Sequence, residues 1–296
     1  MIELNSCYSF SQVPYLTYDA LDDYAQKIIA DFEPERLCIP GIVDVDRFLE
    51  FYLRLSVDFR RISHNRKILG ITAFNDGIVE VIDEDSGETM DLPVATGTVI
   101  IDPSLSIKRN LARLRFTMTH EGCHWLIHRK AFDENNMFGP AGIYENQFIA
   151  AKEGRIDYSR SRKEKTDIDR MERQADFLAS AILMPLPALR SVFAEYFKYY
   201  HEKPRRIVRG NSAFDDCLAK QLPEYVADLF VTTGFVGGAS GGGVFPFFAH
   251  DETENTSITN IVSNRVFFIL LTSCFNIIWL FRFITVRAVL LLNGFT

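Results

Sequence analysis

A chain of 296 residues is enough for about one or two folded domains. Apolar residues make up 47% and charged residues 24%, which excludes collagen, coiled coil and a chain disordered throughout. A net charge of −7 argues against a general nucleic-acid binder, which carries a basic face, so no direct nucleic-acid partner is expected. The charge excess lies in residues 1–230, because the last 66 balance Asp251, Glu252 and Glu254 against Arg265, Arg282 and Arg287. The cysteines, Cys7, Cys38, Cys123, Cys217 and Cys274, are scattered, odd in number and form no CxxC pair. That pattern disfavours a disulfide framework or an all-cysteine zinc site and fits a reducing compartment. The opening MIELNSCYSFSQVPYL has neither a basic n-region nor an apolar h-region, so no secretory signal is expected.

Leu21, Tyr24, Ala25, Ile28, Ile29 and Phe32 recur at helical spacing and predict an amphipathic helix over 17–33. Pro40-Gly41 breaks the chain, and 44–52 reads as a second short helix. Leu53, Leu55, Val57 and Phe59 alternate with polar residues, a strand pattern over 53–59. Residues 68–74 and 78–82 flank Asn75-Asp76-Gly77 and read as a hairpin. Asp83–Gly87 is a further turn, and Val99–Ile101 a strand stopped by Asp102-Pro103. A long helix is expected over 107–130, then a polar, turn-rich stretch over 131–165 whose mixed charges from Lys152 to Lys165 read as a solvated loop or surface helix. Thr166-x-x-Asp169 resembles a capping box and opens a helix that Pro185 and Pro187 end near Met184. Residues 188–200 and 212–230 read as helices.

The composition changes near residue 231. Six of the ten residues from Gly234 to Gly243 are glycine, the mark of a flexible linker. Residues 266–281 then run without a charge, and the apolar stretch reaches 292 if Arg282 and Arg287 snorkel. Sixteen residues fall short of the roughly 20 that span a bilayer, so 266–292 is read as a membrane segment or, failing that, a buried terminal helix.

The chemistry sits in Thr119-His120-Glu121-Gly122-Cys123-His124, an HExxH pattern on a predicted helix. Positions i and i+4 lie about 6 Å apart along a helix and about 40° apart around it, so two imidazoles converge on one metal ion. Glu121 is rotated by about 100° and reaches a metal-bound water better than the metal. His128, about 12 Å along the axis from His120, is too far away to share one ion. It is expected to pack or hydrogen-bond at the helix end. Cys123 reads as a small buried neighbour of the site. The third ligand is expected downstream: Glu172 and Asp176 share one helical face beside the stripe Met171, Ala175, Leu178 and Ile182. Glu172 is read as the ligand, and Asp176 as acceptor for the free ring N–H of a ligating histidine.

Arg115-Phe116-Thr117 before His120-Glu121-x-x-His124, with Leu126 and His128 beyond, resembles the ImmA/IrrE family of metallopeptidases. Glu172-x-x-Ala175-Asp176-Phe177-x-Ala179, ending in Leu183-Met184-Pro185, is similar to that family's second signature. The likeness covers roughly residues 20–200. Three features depart from it. Gly122-Cys123 stands where the family has Leu-Gly, His124 and Glu172 are more widely spaced, and Leu222–Phe230 gives way to the glycine linker where relatives continue into a small helical segment.

The resemblance implies an α+β, zincin-like fold, with a small antiparallel or mixed sheet packed on an active-site helix and further helices. It implies one Zn²⁺ held by His120, His124 and Glu172. It also implies cleavage of an intracellular regulatory protein, a helix-turn-helix repressor or antitoxin, with Glu121 as general base. Candidate oxyanion donors are Tyr144, Tyr158 and His201, and the substrate strand is expected to add to an edge within 68–82 or 97–101. The expected division is a peptidase domain over 1–200, a helical extension over 201–230, a linker over 231–264 and an apolar tail over 265–296. The catalytic domain is expected in the cytoplasm. Two other readings remain: a peptidase scaffold that binds a regulator without cutting it, and a membrane-anchored protein with a structural metal.

Overall fold

The computed structural model describes residues 8, 12–107, 110–132, 148–152, 166–200, 222–227 and 229–230. The fold is mixed α+β, a small sheet with several helices. The chain divides into two compact units, Met1–Leu37 with Val43–Pro185, and Cys38–Ile42 with Leu186–Thr296.

The first unit opens with helix α1, Tyr18–Phe32, whose N-terminus is capped by Thr17 Oγ1 accepting from the Ala20 N–H at 3.2 Å. The predicted apolar positions Leu21, Tyr24, Ala25, Ile28 and Ile29 are buried. Phe32 instead joins Phe48 and Tyr52 in an aromatic cluster, with ring centroids 5.3 and 5.4 Å away. The second predicted helix is the single turn α2, Val45–Arg47, widening into a π-helix over Phe48–Tyr52. That widening corrects the strand expected from residue 53. The Leu53 and Leu55 N–H groups still bond back to Phe48 O and Leu49 O, and Arg54 turns the chain with φ +61°. Strand β1 therefore begins only at Ser56 and ends at Phe59.

Strands β2 (Ile68–Ala73), β3 (Gly77–Ile82), β4 (Thr89–Val94), β5 (Thr98–Ile101) and β6 (Phe148–Lys152) complete two sheets. The larger sheet has the order β1-β5-β2-β6, with β1 and β5 parallel and the other pairs antiparallel. The hairpin expected around Asn75-Asp76-Gly77 does not form: β3 pairs with β4 instead, across the turn that begins at Asp83. Asp76 explains the difference. Its Oδ1 accepts from the Thr96 N–H at 2.7 Å and the Thr96 hydroxyl at 2.8 Å. The turn is thereby tied to the approach to β5, and β3 is carried away from β2. The expected substrate edge is narrowed: β2 and β5 each have a partner on both sides, whereas β3, also within 68–82, pairs with β4 alone among the strands. A segment within the polar stretch, Phe148–Lys152, supplies the strand next to β2. The three oxyanion candidates, Tyr144, Tyr158 and His201, lie outside the described residues, as do the linker and the apolar tail.

Strand β2 is covered on both faces, which is why ILGITA reads as an apolar run rather than an alternation. Ile71 and Ala73 face one way and join Ile62, Val79, Val81, Val94 and Ile100 in a core beneath the β3–β4 ribbon. Gly70 and Thr72 face the other way, toward helix α3, Leu111–His128. The nine residues Phe116 to His124 are all buried, as in a helix enclosed by protein on every side. Helix α4, Asp167–Leu183, packs against α1 and α3. Thr166 Oγ1 caps it by accepting from the Asp169 N–H at 3.1 Å. A second core, of Val13, Phe74, Ala131, Phe132 and Met171, closes the end of α3, where the Phe74 and Phe132 rings stack at 4.1 Å.

In the second unit, helix α5, Leu186–Tyr200, buries Ala188, Leu189, Val192 and Tyr196. It meets α6, Leu222–Ala227, through the Tyr196 and Tyr225 rings, whose centroids are 5.4 Å apart. Among the described residues no single helix is long and apolar enough to cross a membrane.

Candidate metal centre

Helix α3 presents His120 and His124 one turn apart, and their Nε2 atoms lie 2.9 Å from each other. Helix α4 brings Glu172 to the same point. Its Oε2 is 3.5 Å from His120 Nε2 and its Oε1 3.7 Å from His124 Nε2. One ligand atom from each of the three lies within 4.8 Å of the others, a group that could hold a metal ion. Donors around a tetrahedral ion at about 2.0–2.1 Å stand about 3.3 Å apart, and the three separations straddle that spacing. Both histidines are buried while the Glu172 side chain keeps 28% of its exposure, so Glu172 is the exposed member of the group.

Asp176, one turn beyond Glu172, places Oδ1 2.9 Å from His120 Nδ1. Burial alone would lower the His120 pKa, but Asp176 and Glu172 outweigh it and hold the imidazole well above its usual range. His124 moves the other way: burial, then His120 and His128, keep it well below. The surroundings thus favour the charged form of His120 and the neutral form of His124.

Glu121 is fully buried against β2. Its Oε2 lies 2.6 Å from Thr72 Oγ1, and the same hydroxyl lies 3.1 Å from the Glu121 carbonyl oxygen. Glu121 Oε1 is buried with no hydrogen-bond partner among the described residues. Burial pushes the Glu121 carboxyl up to about 7, against the opposing pull of His120 and the Thr72 hydroxyl. A carboxyl tuned close to neutrality can both take and return a proton.

Cys123 is buried beside the site, and burial holds its thiol well above the usual range, which favours the protonated form. Its neighbour Gly122 has a packing role, since a Cβ there would stand 3.0 Å from Leu53 Cδ1. His128 lies outside the ligand group. It is buried at the end of α3, with Nδ1 2.9 Å from His124 Nδ1 and Nε2 3.0 Å from Gln174 Oε1. Burial lowers the His128 pKa to about 3.

Sequence reasoning passed over Gly70, Thr72 and Gln174. A lone glycine inside an apolar strand is a signal of close backbone approach, and Gly70 carried it. Gln174, between Glu172 and Asp176, had no comparable signal. No protein family, curated protein or solved structure matches the chain.

Proposed function

We propose that the chain is a zinc-dependent endopeptidase of zincin type that cleaves an intracellular regulatory protein, a helix-turn-helix repressor or antitoxin. One observation carries the reading: His120, His124 and Glu172 converge, while the next residue along α3, Glu121, keeps one buried carboxylate oxygen without a partner. A structural metal site closes with a fourth protein ligand. Among the described residues the group has three. The substrate class comes from the likeness of the two motifs to ImmA/IrrE peptidases.

His120, His124 and Glu172 would hold the ion, and Asp176 would fix the His120 ring. A bound zinc ion would lower the pKa of water and polarise a peptide carbonyl. Glu121 accepts the proton of the attacking water at Oε1 and delivers it to the leaving amine. Thr72 serves both states of that carboxyl. When Glu121 is ionised, the Thr72 hydroxyl donates to Oε2. When Glu121 carries the accepted proton at Oε1, Oε2 still accepts from the Thr72 hydroxyl, so the proton is held on the oxygen from which it leaves. The short contact of the Thr72 hydroxyl with Oε2 supports this role.

The test is metal analysis of the purified full chain, together with its incubation with a repressor encoded beside it. One zinc per chain and a defined cut support the proposal. A zinc-loaded chain that binds the repressor without cutting it would favour the binding-scaffold reading.

A further inference from the structure

Three groups stand in line behind His124. The Pro14 carbonyl accepts from Gln174 Nε2 at 2.7 Å, Gln174 Oε1 faces His128 Nε2 at 3.0 Å, and His128 Nδ1 faces His124 Nδ1 at 2.9 Å. All four residues are buried. The direction of every hydrogen in the line follows from its far end. A carbonyl only accepts, so the Gln174 amide must turn its NH₂ to Pro14 and its oxygen to His128. His128 must then carry its proton on Nε2. With one proton on a neutral ring, His128 Nδ1 is an acceptor. It takes the hydrogen of His124 Nδ1–H, which leaves the His124 Nε2 lone pair directed at the ligand group.

We propose that His128 and Gln174 are positioning residues that hold His124 in its Nδ1–H tautomer, anchored on the Pro14 carbonyl, so that Nε2 is presented ready to bind the metal. The proposal rests on the reading of His120, His124 and Glu172 as ligands. The tautomer itself is a property of the metal-free chain. The two ligand histidines are thus oriented by different means, His120 by the carboxylate of Asp176 and His124 by a neutral relay ending in backbone. The difference has an electrostatic reason. Glu172 and Asp176 already offset the charge of a divalent ion, and Glu121 adds a third carboxyl. A further carboxylate behind His124 would leave an uncompensated buried charge, whereas histidine and glutamine orient the ring without adding one.

The experiment uses the full chain labelled with ¹⁵N-histidine, freed of metal and held at about pH 8, above the usual histidine range. A two-bond ¹H–¹⁵N correlation reads each ring. The expected result is His124 protonated at Nδ1 and His128 at Nε2. Titration with Zn²⁺ against a competing chelator then compares variants. His128→Leu removes the acceptor and is expected to release the His124 tautomer and weaken zinc by about 10- to 100-fold, the usual size of such outer-shell effects. His128→Asn puts an amide oxygen close to the place of Nδ1 and is expected to recover most of the loss. Gln174→Met should weaken zinc in the same direction. His124 protonated at Nε2 in the unsubstituted chain would overturn the proposal, even if His128→Leu fails to fold. So would a folded His128→Leu chain with unchanged tautomer and zinc affinity. A chain with both expected tautomers that takes up no zinc would contradict the metal reading and leave the hydrogen-bond relay standing.

Discussion

A methyl group built on Gly70 would lie 2.6 Å from Glu121 Oε1 and 2.9 Å from both Glu121 Cγ and Thr117 Cγ2. The bare Cα of this strand residue is what allows α3 to lie so close to β2 and Glu121 to rest on the sheet. Gly70→Ala should force Glu121 aside. The expected cost is about 1–3 kcal/mol of stability, as for other overpacked cores, together with a loss of peptide cleavage that exceeds any loss of zinc. Denaturant unfolding, zinc content and turnover measured on one preparation check this. Unchanged turnover would show that Glu121 needs no such seat.

Thr72→Val keeps the shape of the side chain and removes the hydroxyl that serves Glu121. The hydroxyl pulls the Glu121 pKa down, so its loss should raise that pKa. Glu121 must be ionised to accept a proton, and the acid limb of kcat/KM should therefore move to higher pH. A profile that falls in height without moving along the pH axis would mean that Thr72 acts only in packing.

Burial of Glu121 also has a cost in stability. Its pKa is raised to about 7 in the metal-free chain, from about 4.3 in an unfolded one. A raised pKa contributes stability below the unfolded value and loses it as pH rises through the folded one. Metal-free Glu121→Gln, which cannot ionise, should exceed the unsubstituted chain in stability at about pH 8 by on the order of 3 kcal/mol, at 1.36 kcal/mol per pKa unit. The gap should close as pH falls toward about 4. Urea unfolding of both proteins at the two pH values tests it, and a gap independent of pH would count against a buried, titrating Glu121.

The two acids of α4 should separate by role. Glu172→Ala is expected to abolish zinc binding, and Asp176→Ala to weaken it about 10- to 100-fold, since Asp176 touches His120 rather than the ligand group's centre. Chelator competition decides between them. Equal losses from the two substitutions would mean that Asp176 is itself a ligand.

How far the sequence was readable depended on the range of the forces involved. Helix α1 was legible because Leu21, Ala25 and Ile28 report a local period, and its observed span of Tyr18–Phe32 lies inside the expected one. The convergence of His120 and His124 was legible because i,i+4 geometry belongs to any helix. The hairpin at Asn75-Asp76-Gly77 was misjudged because Asp76 bonds to Thr96, 20 residues away, and turn propensity carries no word of such a partner. Strand β6 was missed because FIAAK precedes a charged run and gains its strand character only from pairing with β2. The place of His128 behind His124 required Gln174 on another helix and Pro14 on the N-terminal segment, contacts spread over 160 residues of chain.

The most direct measurement is zinc content and peptide cleavage of the full chain beside Glu121→Gln, both prepared without added metal. If the chain is a zinc endopeptidase, both proteins carry one zinc, the unsubstituted chain cuts its substrate, and Glu121→Gln loses at least about 100-fold in turnover, the lower end for a general base. Turnover of Glu121→Gln within about tenfold of the unsubstituted chain, or cleavage that survives with no zinc bound to either protein, would contradict it.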